Sequence, residues 1–222
     1  MINVEDQESL FKLISEYLEK DVSCIAIGGT AMMFLGYKNT TKDIDLVFKN
    51  KEDRDVFIKA IGKLGYSQGS IKFIYKENQL RSKNKPLMYT RGEERFDIFV
   101  DNVFGFSLDS AYELITQRHD YIGKKELIIY VLNKEYIFLL KSVTNRDKDL
   151  EDMETIAKTE PSLDLSEIVS LAIKERKNNP WLLIDLEEKM QKLKKVILIK
   201  KEHFDRIYKA ENAIKIFLFL LY

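Results

Sequence analysis

Among its 222 residues the chain has a single cysteine, Cys24, so no intramolecular disulfide can staple it. Cys24 sits in the apolar run 22–27, which marks it as a buried, inert thiol suited to a reducing compartment. There are only two histidines, His119 and His203; with one cysteine they supply no zinc-ligand constellation, and both are expected at the surface. Three prolines and nine glycines yield no Gly/Ser-rich linker and no low-complexity tract. Charge of one sign is not in excess. The 36 Lys plus Arg balance 36 Asp plus Glu, so no global basic field recruits nucleic acid, although a local basic patch stays open. Long apolar runs are missing too: the longest, Ile216 to Tyr222, is far short of the roughly 20 residues that cross a bilayer. The first residues, Met-Ile-Asn-Val-Glu-Asp-Gln-Glu, lack the basic start and apolar centre of a secretory signal. A soluble, cytoplasmic protein without membrane association is the expectation. Neither a Walker A pattern nor Gly-x-Gly-x-x-Gly occurs.

What is present is a sizeable apolar complement, 45% of residues, and 32% charged residues, a balance that favours long solvated helices around a real core. Apolar spacing predicts a helix over 5–20, a buried strand over 22–27, a short helix from Thr30 to Leu35 stopped by Gly36, a strand over 43–48 and a charged amphipathic helix over 51–64. Further strands are expected at 71–75, 86–91, 95–100 and 126–132, with a helix at 108–118. From about 133 the pattern is helical, punctuated by Pro161 and Pro180. The fold class expected is therefore mixed α/β (α+β): a sheet domain over 1–132, then a helical C-terminal domain over 133–222.

The chemistry concentrates in two short stretches, Gly28-Gly29-Thr30-Ala31 and Thr40-Thr41-Lys42-Asp43-Ile44-Asp45-Leu46. Residues two apart on a strand share a face, so Asp43 and Asp45 project together while Ile44 and Leu46 face the core. Paired carboxylates repel, and a divalent cation relieves that cost; the pair is a hard oxygen site suited to Mg²⁺ or Mn²⁺. Asp97, in Arg95-Phe96-Asp97-Ile98-Phe99, has the same alternation. Three carboxylates on neighbouring strands are the donor set of the two-metal clamp used for in-line nucleotidyl transfer. Glycines between a strand and a helix let backbone N–H groups approach phosphate, and Thr30 adds a hydroxyl. Asp101 is the fallback for Asp97. An EF-hand is excluded by Leu46-Val47-Phe48, which supplies no further ligands.

These residues resemble the DNA polymerase β-type nucleotidyltransferase superfamily: a Gly-Gly turn, an acidic–hydrophobic–acidic strand and a later single acidic strand residue. Within it the chain looks most like the AbiEii-type and related small prokaryotic nucleotidyltransferases, many of them toxin–antitoxin-associated. Thr30 stands where many members have Ser. Downstream, Lys141 and then Arg146-Asp147-Lys148-Asp149-Leu150-Glu151-Asp152 is similar to that group's helical Lys…Arg-x-Lys-Asp-x-x-Asp segment. The resemblance spans roughly residues 22–155. It implies a polymerase β-like mixed sheet and transfer of a nucleoside monophosphate from an NTP to an acceptor hydroxyl, with release of pyrophosphate. It implies Asp43, Asp45 and Asp97 as catalytic metal ligands, Gly28, Gly29 and Thr30 against phosphate, and Lys141 as a phosphate-neutralising cation. An RNA 3′ end or a protein side chain is favoured as acceptor over a small molecule such as an antibiotic. The other readings are a non-catalytic, antitoxin-like binding module and a metal-dependent hydrolase.

In the C-terminal half, helices are expected at 164–177, 181–199 and 202–221, with Trp181 packed at a helix start. The lysines 189, 192, 194, 195, 200 and 201 form either a solvated face or an RNA-backbone contact. The apolar end, 214–222, packs on the helical core or docks a protein partner or second copy.

Overall fold

Strand β1 (Ile2–Asn3) leads directly into helix α1 (Val4–Ser15), and the junction is a capping box. Asn3 Oδ1 accepts from the Asp6 N–H at 2.8 Å, and the Asp6 carboxylate accepts from the Asn3 N–H at 3.3 Å. The computed structural model describes residues 1–69, 86–103, 105–107, 111–144 and 146–220, with side chains to residue 212 in the last helix. The strand expected at 71–75 lies outside the described residues. Helix α1 ends at Ser15, short of residue 20. Leu18 is nevertheless fully buried, so apolar spacing continues past the point where the backbone leaves the helix.

The chain divides into two compact units, Met1–Asn133 and Lys134–Tyr222. The first is built on strands β2 (Val22–Ala26), β4 (Asp43–Phe48), β5 (Ser67–Gln68), β6 (Leu87–Arg91), β7 (Glu94–Val100), β10 (Ile115–Ile122) and β11 (Glu126–Leu132). They form one mixed sheet in the order β10-β11-β2-β4-β7-β6-β5. The β11–β2 and β4–β7 pairs are parallel and the others antiparallel. Two short ribbons accompany it: β1 with β3 (Thr40–Thr41), and β8 (Asn102–Val103) with β9 (Phe106–Ser107). Helices α2 (Gly28–Phe34) and α3 (Lys51–Lys63) complete the unit.

One face of β4 and β7 makes the core. Ile44, Leu46, Phe48, Phe96 and Ile98 are buried there, and Phe57 of α3 packs on Phe48 and Phe96 with ring centres 5.1 and 5.6 Å apart. The opposite face carries the acidic residues. Helix α2 stops as expected at Gly36, whose φ of 77° admits glycine and whose neighbour's N–H, on Tyr37, bonds back to Met32 O at 2.8 Å. Cys24 is a buried free thiol.

The helix expected at 108–118 is corrected from residue 112 onward: residues 108–110 lie outside the described residues, Ala111 is helical, Tyr112–Leu114 form a 3₁₀ turn, and residues 115–118 open β10. Its residues alternate between exposed and part-buried, and Ile115, Thr116 and Tyr121 favour the pleated edge. Antiparallel pairing with β11 outweighs the local helical spacing.

The second unit is helical: α4 (Lys134–Ser142), α5 (Asp147–Thr159), α6 (Leu165–Glu175), α7 (Leu182–Leu193) and α8 (Lys201–Leu220). Helix α4 is buried from Glu135 to Ser142 and is flanked by α5, α6 and α7. Asp164 caps α6 by accepting from Ser166 N and Glu167 N. Two expectations fail here. Trp181 is 67% exposed rather than packed, and its side chain makes no cap. His203 is buried, because it shares an inward stripe of α8 with Phe204 and Ile207; His119, on β10, is half-buried against Phe34. No helix among the described residues is long and apolar enough to cross a membrane.

Candidate active site

Strands β4 and β7 run parallel with Asp43 opposite Arg95 and Asp45 opposite Asp97. In parallel strands, facing residues send their side chains to the same side, and neighbouring backbones lie roughly 4.8 Å apart. Asp43, Asp45, Arg95 and Asp97 therefore crowd one patch of the sheet face opposite α3. Asp97 is the deepest, at 1% exposure, while Asp43 and Asp45 are half-buried.

The Gly28-Gly29-Thr30 turn closes over this patch. Gly28 has φ +57°, a conformation that disfavours any Cβ, and a Cβ there would overlap the Asp45 carboxylate. Gly29 makes the same allowance for Thr41, whose hydroxyl donates to Asp43 O at 3.0 Å. Thr30 is fully buried, and its hydroxyl oxygen accepts from the Asp45 N–H at 2.9 Å. The Ile27 N–H donates to Asp45 O at 3.1 Å. Both backbone polar groups of Asp45 are thus tied to the start of α2. Thr30 fixes the acidic strand to the glycine turn, a connection that sequence spacing alone does not reveal. Asp101 lies beyond β7, with φ 62° and its N–H on Phe48 O, so the turn after the strand carries it out of the acidic patch.

Arg95 is the residue that sequence reading missed. Its guanidinium ion-pairs with Asp43 through Nη2 and with Asp97, with Nε 3.1 Å from Asp97 Oδ1 and Nη2 3.2 Å from Asp97 Oδ2. A carboxylate as buried as Asp97 is costly without a counter-charge, and Arg95 supplies one. The signal was available: Arg95 precedes Asp97 by two, so strand parity puts both on one face.

Lys141 belongs to the second unit, where α4 and α5 hold it in a buried charged cluster. Its Nζ lies 3.1 Å from Asp149 Oδ1 and 2.6 Å from Asp152 Oδ2. Arg146 grips Asp149 with two nitrogens, at 2.6 and 3.1 Å, and the Thr144 hydroxyl donates to the same carboxylate. Burial alone would push the Asp149 carboxyl up; the hydrogen bond from Arg146 and the charge of Lys141 outweigh it and hold the group below its ordinary range. The acidic pair of the Arg-x-Lys-Asp-x-x-Asp segment thus fixes Lys141 in place. The expected lysine patch is largely engaged as well. Lys189 is buried, Lys192 pairs with Glu188 at 2.6 Å, and Lys194 lies 4.1 Å from the centre of the Phe204 ring.

The donor set at β4 and β7 fits a hard divalent cation in kind: three carboxylates on one face, with a glycine leaving room for one of them. Their present orientations differ, since Asp43 and Asp97 turn to Arg95 while Asp45 lies against Gly28. Accordingly, among the described residues no three acidic, histidine or cysteine side chains are arranged to hold a metal ion. No protein-family model matches the sequence, and no curated protein matches it.

Proposed function

We propose that the chain is a divalent-metal-dependent nucleotidyltransferase that moves a nucleoside monophosphate from an NTP to an acceptor hydroxyl. The single observation that carries this reading is the register Asp45↔Asp97 in parallel strands, with Asp43 on the same face. Asp43 and Asp45 would hold Mg²⁺ or Mn²⁺ and Asp97 would complete the set. Such a cation supplies charge neutralisation for the triphosphate and a lowered pKa for the acceptor hydroxyl. The first-turn N–H groups at Gly28 and Gly29 are free of intrahelical partners by the geometry of any helix start, and they face phosphate in this reading. Thr30 positions Asp45 through its backbone. In the reaction the acceptor oxygen bonds to the α-phosphorus as the bond to the β-phosphate bridging oxygen breaks. Pyrophosphate leaves, and the hydroxyl proton passes to Asp97.

The acceptor proposed is an RNA 3′ end or a protein side-chain hydroxyl. The test supplies the purified chain with Mg²⁺ or Mn²⁺, each α-labelled NTP in turn, and total RNA, cell protein or an aminoglycoside mixture. Label entering RNA or protein is the expected result. Label entering the aminoglycosides corrects the acceptor class, and phosphate released in place of pyrophosphate identifies a hydrolase.

One observation favours a second reading, a non-catalytic binding module: Arg95 offsets part of the charge at Asp43 and Asp97 without any cation. Absence of divalent-cation and NTP binding by the purified chain would decide for it.

A further inference from the structure

Resting on the metal-dependent reading above, we infer that Arg95 is a positioning residue that acts as an internal counter-ion latch, one that an incoming divalent cation must displace from Asp43 and Asp97. Three carboxylates and one guanidinium share a small patch of β4 and β7, leaving two formal negative charges, the complement of one divalent cation. Arg95 contacts Asp43 Oδ2 and both Asp97 oxygens, and in the reading above Asp43 and Asp97 would help to hold the cation. Guanidinium and metal compete for the same lone pairs, and they repel each other at contact distance.

Depth makes the competition consequential. Asp97 is almost fully buried, so its charge must always be met, by Arg95 in one state and by the cation in the other. The Arg95 side chain is only 18% exposed, so solvent screens its ion pairs little, yet it reaches the surface and has somewhere to go when released. The backbone need not move. Asp45 is anchored by Thr30 and Ile27, and register fixes Asp97 beside it. The exchange is a side-chain rotation of Arg95 with Asp43 and Asp97 turning towards Asp45. Without the cation the latch offsets one of the three negative charges and meets the buried Asp97; with it, the carboxylates converge.

The test is Mn²⁺ titration of the full chain by calorimetry, comparing the natural protein with Arg95→Gln and Arg95→Lys. Removing the competitor predicts Mn²⁺ affinity about fivefold or more tighter in Arg95→Gln. Arg95→Lys, which keeps the charge but cannot fork between two carboxylates, falls between. Melting without metal is expected lower in Arg95→Gln, and its rise on adding Mn²⁺ larger. A purely structural arginine would give the opposite sign, since damage to the sheet weakens metal binding. Equal or weaker Mn²⁺ affinity in Arg95→Gln overturns the latch and leaves the metal site standing, provided Asp45→Asn abolishes the binding seen in the natural chain. No Mn²⁺ binding by any of these proteins removes the metal-dependent reading, and the latch with it. If Arg95→Gln does not fold, Arg95→Lys carries the same comparison, and affinity no tighter than the natural chain's overturns the proposal.

Discussion

Asp45 and Asp97 face each other across the parallel β4–β7 ladder, and the Asp45 carboxylate rests against the Cα of Gly28. The second contact makes the glycine turn part of the acidic patch. Gly28→Ala would place a methyl where the carboxylate stands and force a left-handed conformation on alanine. An expected loss of about 1–3 kcal/mol in urea unfolding follows, together with impaired transfer. Gly36→Ala is the control. Its φ is also positive, but no atom lies within 4 Å, so it should cost about 1 kcal/mol and leave transfer intact. Equal effects of the two substitutions on transfer would show that the Gly28 contact does not position Asp45.

Thr30 makes a second, subtler prediction. Thr30→Val keeps the shape but removes the acceptor of the Asp45 N–H, leaving a part-buried donor unmet at about 1 kcal/mol. Thr30→Ser retains the oxygen and should retain most of the stability. Denaturant midpoints of the pair decide the matter, and a valine variant as stable as the serine variant would deny the tie.

Particular residues separate what sequence could reveal from what it could not. Alternation within a strand is local, so Asp43, Asp45 and Asp97 could each be assigned to the face opposite Ile44, Leu46, Phe96 and Ile98. Which aspartates stand opposite each other is a matter of register between strands, and nothing in local spacing encodes it. Arg95 obeyed the same parity as Asp97 but reads as an ordinary strand-end charge until Asp43 is placed beside it. Thr30 reads as a phosphate donor because its hydroxyl follows two glycines; only the folded turn shows that hydroxyl on Asp45. From Ile115 the helix expected at 108–118 gives way, where pairing with β11 outweighs local preference. Trp181 lies exposed, and an apolar ring after Pro180 does not by itself encode which side of α7 it joins.

In the second unit, Lys141 sits between Asp149 and Asp152, both nearly inaccessible. Lys141→Met would remove the ammonium that both buried carboxylates contact, and a loss of about 3–5 kcal/mol is expected. Adding Asp149→Asn and Asp152→Asn to it should recover part of that loss, because the uncompensated charges are then gone. Chemical denaturation of the three proteins tests this. An unchanged midpoint for Lys141→Met would mean the lysine's ion pairs are not structural.

The pH dependence of stability has an identifiable contributor in α7. Burial, with Glu188 nearby, pushes the Asp185 carboxyl up to about 6, against about 3.9 in an unfolded chain. Below about pH 4 both states are protonated and the residue is neutral in effect. As pH rises from there through 6, the unfolded chain releases its proton more readily, and stability falls. Asp185→Asn should therefore raise stability by about 1–2 kcal/mol at pH 7.5, after allowance for solvent screening, and change little at pH 4. Thermal melts at the two pH values check the sign; equal gains at both would place the cause elsewhere.

The central claim is that Asp45 and Asp97 act together on a metal-bound nucleotide. The most direct measurement is the rate of pyrophosphate release from an NTP, with the acceptor identified by labelling, for the natural chain, Asp45→Asn and Asp97→Asn at saturating Mg²⁺. The account predicts that each amide variant folds and loses about a thousandfold or more in rate, since either change removes charge from a shared clamp. Folded variants that release pyrophosphate within about twofold of the natural rate would contradict it.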